Sequence, residues 1–419
     1  MINPRTQTVL IYDYGKFGVM LAQRLAREFG HVILYVPFEK EFPKELDFNV
    51  GIGFTDFEKC VDLWEGVEAA DVVIMADLYQ TSFQRHLKEM GKAVWGLGVA
   101  EEYETDRWMF REWLKAQNMP RAATQKIQGI PTLKKFLQEN DNKYVKISAF
   151  RGIAETFKHE NWIQTQPYIE ELEHNLGLDS EEQEFIIDDE IDAVIELGVD
   201  TWTVDGKYPA ICEWGLEIKD VGYIGKIDKY QDVPEQLRWV NDRLSPIFQK
   251  AGSRGFFASE VRITKDGTPY FTDFTARLPY PPTESLLENY HNIGSVICNG
   301  ALGELVIPEP TDKYFAIARL SSEHSIDKWF PVQFDEKDKQ WIKFPDATIK
   351  NGQLYVLPRR GDWDVVGSVV GHGKTAEEAV EDCQDRVERV KGFKLDNTAH
   401  FLQDGLETLD EAREVGIDF

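Results

Sequence analysis

Cysteine is scarce in this sequence. Its 419 residues hold four, at Cys60, Cys212, Cys298 and Cys383, and no two stand at C-x-x-C spacing. That excludes a zinc knuckle and a disulfide framework and fits a reducing compartment. Long apolar runs are missing too: nothing approaches the ~18 residues of a membrane span. The opening MINPRTQTVLIYDYG has neither the apolar run nor the cleavage site of a secretory leader, so a cytoplasmic location is expected. Positive charge is short, with 47 Lys and Arg against 73 Asp and Glu, a net −26. Such a field repels polymeric nucleic acid, although a local basic cleft can exist inside an acidic envelope. The eight histidines are scattered and compose no Ser-His-Asp or Cys-His set.

What is present is ordinary globular composition, 42% hydrophobic and 29% charged, in a chain long enough for two or three domains. Residues 8–12 (TVLIY) predict a buried strand, followed by the turn Asp13-Tyr14-Gly15-Lys16-Phe17-Gly18 and a helix to Phe29. Further strands are expected at 31–36, 72–76 and 93–95, with a helix over 82–89, giving a small open parallel sheet. A charged, aromatic-rich helix is expected over 101–116 and a short strand at 144–147. The acid-rich stretch 170–190 predicts a solvated helix or connecting loop, with strand alternation from Phe185 on both sides of an Asp205-Gly206 hairpin turn. A helix over 234–249 precedes two alternating strands joined by Lys265-Asp266-Gly267-Thr268. Strand-like pieces follow (FAIARLSS, QLYVLP, DVVGSVVGHG), then a helix whose start carries the Thr375-Ala376-Glu377-Glu378 capping pattern.

Three places carry candidate chemistry. The turn at 13–18 holds half of a dinucleotide fingerprint, with Glu39 about 20 residues on, and leaves open an NAD(P)-linked oxidoreductase dependent on Gly15 and Gly18. Lys146, at the end of an apolar strand before a loop with Ser148, Arg151 and Gly152, suits a phosphate; a lysine snorkelling at a strand end is the equal alternative. Counting outward from the Lys265–Thr268 turn sets Glu260 opposite Asp273 on a half-buried sheet. Facing carboxylates repel unless a cation lies between them, and Mg²⁺ is the expected ion. Arg277, four residues past Asp273, would complement a phosphate or acyl phosphate. Glu190, Asp192 and Glu196 could hold an adenine amino group and ribose hydroxyls, while Lys219, Lys226 and Arg254 are candidate substrate contacts.

In order and spacing these pieces resemble the ATP-grasp superfamily, most closely its phosphoribosylamine-glycine ligase branch, over nearly the whole chain. DRWMFREWLKAQNMP (106–120) is similar to the family's S-K-x-x-x-K-x-x-x-x-x-x-G-I-P helix, YVKISAFRG to the strand with the ATP lysine, EVRITKDGTPYFTDFTAR to the metal-binding hairpin ending in E-x-N-x-R, and VVGSVVGHGKTAEEAVEDCQDRVERV to the C-terminal strand, turn and helix. The resemblance implies an α/β chain, α+β in its ATP-grasp part: an N-terminal parallel-sheet domain (1–104), an ATP-grasp domain (105–308) and a small C-terminal α/β lobe (309–419). It implies ATP and Mg²⁺, with small-molecule carboxylate and amine substrates joined through an acyl phosphate, in a monomer or homodimer. Lys146 and Arg107 would contact ATP phosphates, helped by Ser148 and Arg151. Glu190 and Asp192 would lie at the adenine hinge and Glu196 on the ribose. Glu260, Asp273 and Thr275 would hold the metal, and Arg277 would stabilise the transferred phosphate. Four departures are visible: Arg107 replaces lysine, Thr275 replaces the metal-binding asparagine, the loop after Lys146 lacks the family's glycines, and EIKDVGYIGK (217–226) stands where the family has G-P-N-T-G-G-M-G. They imply an altered substrate site, and a nucleotide-binding relative without turnover is the alternative.

Overall fold

The computed structural model describes residues 1–13, 17–37, 49–147, 156–358 and 364–419. Among the described residues the strands form four sheets. The first contains β1 (Thr8–Tyr12), β2 (His31–Tyr35), β3 (Glu58–Lys59), β4 (Val72–Met75) and β5 (Ala93–Trp95), all parallel in the order β3-β2-β1-β4-β5. Helices α1 (Gly18–Leu25), α2 (Leu63–Ala69) and α3 (Thr81–Glu89) connect these strands. Nearly continuous Val, Ile and Leu runs make such strands because both faces are covered. One face of this sheet packs Leu10, Ile33 and Val73 with Leu87, and the other joins the main core.

The expected helix over 101–116 is two helices, α4 (Glu102–Thr105) and α5 (Arg107–Ala116). Asp106 separates them: its backbone leaves helical geometry and its Oδ1 accepts the Met109 N–H at 2.8 Å, capping α5. A compact unit follows, made of β6 (Thr124–Gln128), α6 (Ile130–Glu139), β7 (Lys143–Ile147), β8 (Thr156–His159), α7 (Trp162–Leu176) and β9 (Glu184–Asp189), in antiparallel order β6-β9-β7-β8. It has its own core of Ile130, Leu133, Val145, Ile147, Leu172, Phe185 and Ile187. The first part of the acid-rich stretch lies in α7, and β9 follows where strand alternation was expected from Phe185; Phe185 to Asp188 are buried.

The largest sheet is built from β10 (Ala193–Val204), β11 (Ile211–Ile218), β12 (Gly222–Lys229), β13 (Arg254–Thr264) and β14 (Pro269–Thr275), with α8 (Glu235–Ala251) packed through Leu237, Val240, Leu244 and Phe248. Asp205 and Gly206, both at positive φ, turn the chain after β10. Helices α9 (Thr283–Glu288) and α10 (Ile293–Ala301) lead into β15 (Tyr314–Ser321). Beyond it come β16 (Phe330–Gln333), β17 (Ile342–Lys343), β18 (Ala347–Lys350), β19 (Gln353–Val356), β20 (Val365–Gly373), α11 (Ala376–Val387), β21 (Lys391–Gly392), β22 (Asp396–Asn397) and α12 (Leu402–Glu411). The order β14-β13-β10-β11-β12-β15-β20-β17, with β22 also on β15, runs straight across residue 308, so strands on both sides of that expected boundary share one sheet. Strands β16, β18, β19 and β21 make a small fourth sheet. As expected, the fold is mixed α/β, parallel at the N-terminus and antiparallel beyond it. Among the described residues no helix is long and apolar enough to cross a membrane.

Candidate active site

The β6–β9 unit faces the edge of the large sheet, and the side chains between them build a cleft. The β13–β14 hairpin sets Glu260 directly opposite Asp273, with a bulge after Glu260 that skips Thr272. Side chains directly opposite across an antiparallel pair stand on one face, so two carboxylates meet there. Burial, then Asp273, Glu217 and Glu196, push the Glu260 carboxyl well above the usual carboxylate range, with Lys146 opposing.

Cations arrive from two other elements. Lys146, near the end of β7, is 7% exposed; its Nζ donates to the Thr272 carbonyl at 3.4 Å and lies 3.9 Å from Asp188. Burial and the neighbouring Arg111 lower its pKa, against the pull of Asp273 and Asp188. Helix α5 presents Arg107 and Arg111, one turn apart on the same side. The Arg107 guanidinium is 3.6 Å from Asp273, and Arg111 forks onto Asp188 at 2.7 and 3.3 Å while reaching the Thr272 carbonyl at 3.4 Å. Asp188 also accepts from Thr124 Oγ1 at 2.6 Å. Burial works against its ionisation, yet Arg111 and Lys146 hold it below the ordinary range.

The remaining candidates divide. Glu196 lies near enough to raise Glu260, but it is already engaged, by Arg262 at 3.0 Å and the Thr272 hydroxyl at 3.0 Å. Glu190 and Asp192, both exposed, form the link from β9 to β10; Glu190 pairs with Lys158 at 2.8 Å. Thr275 ends β14 opposite Ala258. Arg277 is drawn to the N-terminal sheet, its Nε 3.4 Å from Asp77 and 3.2 Å from Glu104. Ser148 and Arg151 lie outside the described residues. Arg254 is structural, forking onto Asp205 at 2.9 Å twice, and Lys226 sits between Asp228 and the rings of Trp214 and Tyr314.

Sequence reasoning passed over Arg111, Asp188, Glu217 and Arg319. The four-residue step from Arg107 was a usable signal for Arg111, and an acid ending the apolar run FII was one for Asp188. Glu217, at the end of β11, is pushed up to about 7 by burial, and its partner Arg319 on β15, 3.6 Å away, opposes that shift. Only the three-dimensional sheet brings these two together.

The helix start that a dinucleotide cofactor would use is already occupied. Asp13 Oδ2 accepts from the N–H groups of Phe17 (3.2 Å) and Gly18 (2.9 Å), so the protein's own carboxylate occupies the start of α1 where a pyrophosphate would bind. A Cβ at Gly18 would lie 2.9 Å from Leu34 and 3.0 Å from Asp13, which accounts for that glycine by packing. Gly15 and Glu39 lie outside the described residues.

No protein-family model matches the sequence, and no curated protein matches it. Solved structures do match in shape. Phosphoribosylamine-glycine ligase from Thermotoga maritima superposes with a TM-score of 0.68 at 16% identity, covering 93% of this chain and 98% of that one. The biotin carboxylase domain of Hydrogenobacter thermophilus 2-oxoglutarate carboxylase, solved with MgADP, ADP and bicarbonate, gives 0.66 at 13% identity over 99% of each chain. The chain has the ATP-grasp fold. N5-carboxyaminoimidazole ribonucleotide synthetase from Thermotoga maritima, at 0.58 and 14% identity over 93% of this chain and all of that one, shares the ATP-grasp architecture.

The acid pair is tested for Mg²⁺ by its own surroundings. Among the described residues no group of three or more His, Cys, Asp and Glu side chains could hold a metal by protein ligands alone. Glu260 and Asp273 instead offer two facing oxygen donors beside Lys146 and Arg107. That set fits an ion that takes one or two carboxylates and completes its shell with water and phosphate.

Proposed function

We propose that this ATP-grasp protein is an ATP-dependent ligase that joins a small-molecule carboxylate to an amine through an acyl phosphate. The observation that carries the reading is the Glu260–Asp273 pair facing Lys146 and Arg107 across the cleft between two sheets. In this reading Lys146 and Arg107, with Arg111 behind them, neutralise nucleotide phosphates. Glu260 and Asp273, with Thr275 at the strand end, hold Mg²⁺, which when bound offsets the charge on the transferring phosphoryl group. Glu190 and Asp192 border the adenine. Because Glu196 is committed to Arg262, a ribose role for it requires that pair to open. The substrate carboxylate attacks the γ-phosphorus with ADP leaving, and the amine nitrogen then attacks the acyl carbon with phosphate leaving. Water exclusion and charge placement do most of the work in such a transfer, and no protein nucleophile is needed. Glu217 and Arg319 at the far side of the cleft line the space for the acceptor.

A second reading, nucleotide binding without turnover, is favoured by one observation: Arg277, the residue expected on the transferred phosphate, lies against Asp77 and Glu104. Calorimetric titration with ADP, with and without Mg²⁺, followed by ADP-release assays over pools of carboxylates and amines, separates the two. Mg²⁺-dependent binding with pool-dependent ADP release supports the ligase. Binding with no release from any pool supports the second reading, and no binding defeats both. Sedimentation of the same preparation tests for a monomer or homodimer.

A further inference from the structure

The cleft face of the large sheet carries a second facing carboxyl pair. Asp200 on β10 stands directly opposite Glu213 on β11. It shares a face with Glu260, because Gly198, two residues earlier on the strand, is the register partner of Glu260. Asp200 is 3% exposed and Glu213 fully buried. The groups around them come from three places: Tyr223 of β12, whose hydroxyl donates to Asp200 Oδ2 at 2.6 Å; Glu217 and Cys212 of β11; and Asn289 and Tyr290, which follow α9 and lie against Glu213. None of these is a cation. Both Glu213 carboxyl oxygens, both Asn289 amide atoms and the Tyr290 hydroxyl are sealed from solvent, and none makes a well-formed hydrogen bond among the described residues. Facing carboxyls with no cation cannot both be ionised. Gly198 has no side chain, and a Cβ there would lie 3.7 Å from both Asp200 Oδ2 and Tyr223 Oη, so the Asp200–Tyr223 hydrogen bond lies beside the bare backbone opposite Glu260.

We propose that Asp200 and Glu213 hold protons between them and exchange one with the cleft through the Tyr223 hydroxyl, taking up the proton that amide formation releases. This rests on the ligase reading. An acyl phosphate and an alkylammonium ion give an amide, hydrogen phosphate and one proton. The N–C bond forms and the C–O bond to phosphorus's oxygen breaks, its electron pair leaving with phosphate. One nitrogen proton departs with phosphate and one passes to a base. Ionised Asp200 is that base: Tyr223 gives its proton to Oδ2 while accepting one from the cleft side. Burial raises Asp200 to about 7, with the Tyr223 hydrogen bond opposing and Glu217 adding, so both protonation states are populated at neutral pH. Burial above all pushes the Glu213 carboxyl well above the usual carboxylate range, with Asn289 and Tyr290 opposing. Asp200 acts through Tyr223 and is a positioning residue in this scheme.

Infrared titration of the full chain tests it. The expected result is a protonated-carboxyl carbonyl band that disappears near pH 7 and is absent in Asp200→Asn, and a second band that persists above that pH and is absent in Glu213→Gln. Tyr223→Phe, which keeps the ring and removes the opposing hydrogen bond, moves the first midpoint to higher pH. Absence of both bands at pH 6, or an unmoved midpoint in Tyr223→Phe, overturns the proposal. Calorimetry with Mg·ADP in buffers of different ionisation enthalpy then counts the protons exchanged on binding. A count that changes in Asp200→Asn supports exchange with the cleft, and an identical count overturns it. Wild-type protein that binds no Mg·ADP overturns the ligase reading, and with it the role given to the released proton, whatever the bands show.

Discussion

One sheet face carries two facing carboxyl pairs with opposite surroundings. Glu260 and Asp273 sit at the cleft with Lys146 and Arg107 beside them, whereas Asp200 and Glu213, two residues along β10 and one strand over, are sealed among tyrosines and an asparagine. The pairs share chemistry, strand geometry and, nearly, position. What differs is access and the sign of the neighbours. An accessible pair beside cations and open to phosphate can take a divalent metal, and a sealed pair without cations is left to protons. Residue identity alone therefore does not assign a role to facing acids; the next shell does.

The largest expected effect comes from removing the anion that lets the cations stand in the cleft. Asp188→Asn leaves Arg111 and Lys146 buried without their counter-charge, and breaking such a pair costs about 3–5 kcal/mol. The pH sign follows from Asp188 being held below its unfolded value. Its contribution is complete above the unfolded pKa and disappears as pH falls through the folded one, so denaturant melts of wild type and variant converge in acid. A gap that stays constant down to low pH would show that the cations do not depend on Asp188. Next, Asp273→Asn should weaken Mg²⁺-dependent ADP binding roughly 100-fold, or about 2.8 kcal/mol. Equal affinity by calorimetry would erase the proposed difference between the pairs.

The sealed pair predicts a smaller and opposite trend. Asp200 is raised, so the native state binds its proton more tightly than the unfolded chain. From about the unfolded pKa up to about 7, stability falls with rising pH, by at most about 1.4 kcal/mol per pH unit. Asp200→Asn should flatten that slope. A wild-type profile with no such fall would place a compensating cation beside Asp200.

Much of this was legible from sequence where the signal was local. The parallel strands announced themselves as β-branched runs, and the Lys265–Thr268 turn set the hairpin register as far as Val261 opposite Phe271; the bulge that then skips Thr272, which no sequence signal announced, is what brings Asp273 across from Glu260. Strand alternation from Phe185 announced β9, but nothing in that run set Asp188 apart from the many acids beside it, and so its role went unseen. Glu217, Arg319 and the Asp200–Glu213 pair depend on which strands become neighbours across long connections, information that no window of sequence contains. The half-fingerprint at 13–18 is ambiguous for a local reason: strand, glycine turn and helix recur wherever a parallel strand feeds a helix, and here Asp13 does the capping itself.

The smallest effect concerns how the cations that distinguish the two pairs are held. Arg107 is the first residue of α5 and Arg111 lies one turn on, so both depend on where that helix begins. Asp106 sets that point by accepting the Met109 N–H. Asp106→Ala should cost about 1 kcal/mol, and Asp106→Asn, which keeps an acceptor oxygen, should recover most of it. Mg·ADP affinity should drop in the alanine variant by less than in Asp273→Asn, because the cations are loosened rather than removed. If the alanine variant melts like wild type yet loses nucleotide as fully as Asp273→Asn does, Asp106 belongs to the binding site itself, and the cleft pair owes its cations to something other than the start of α5.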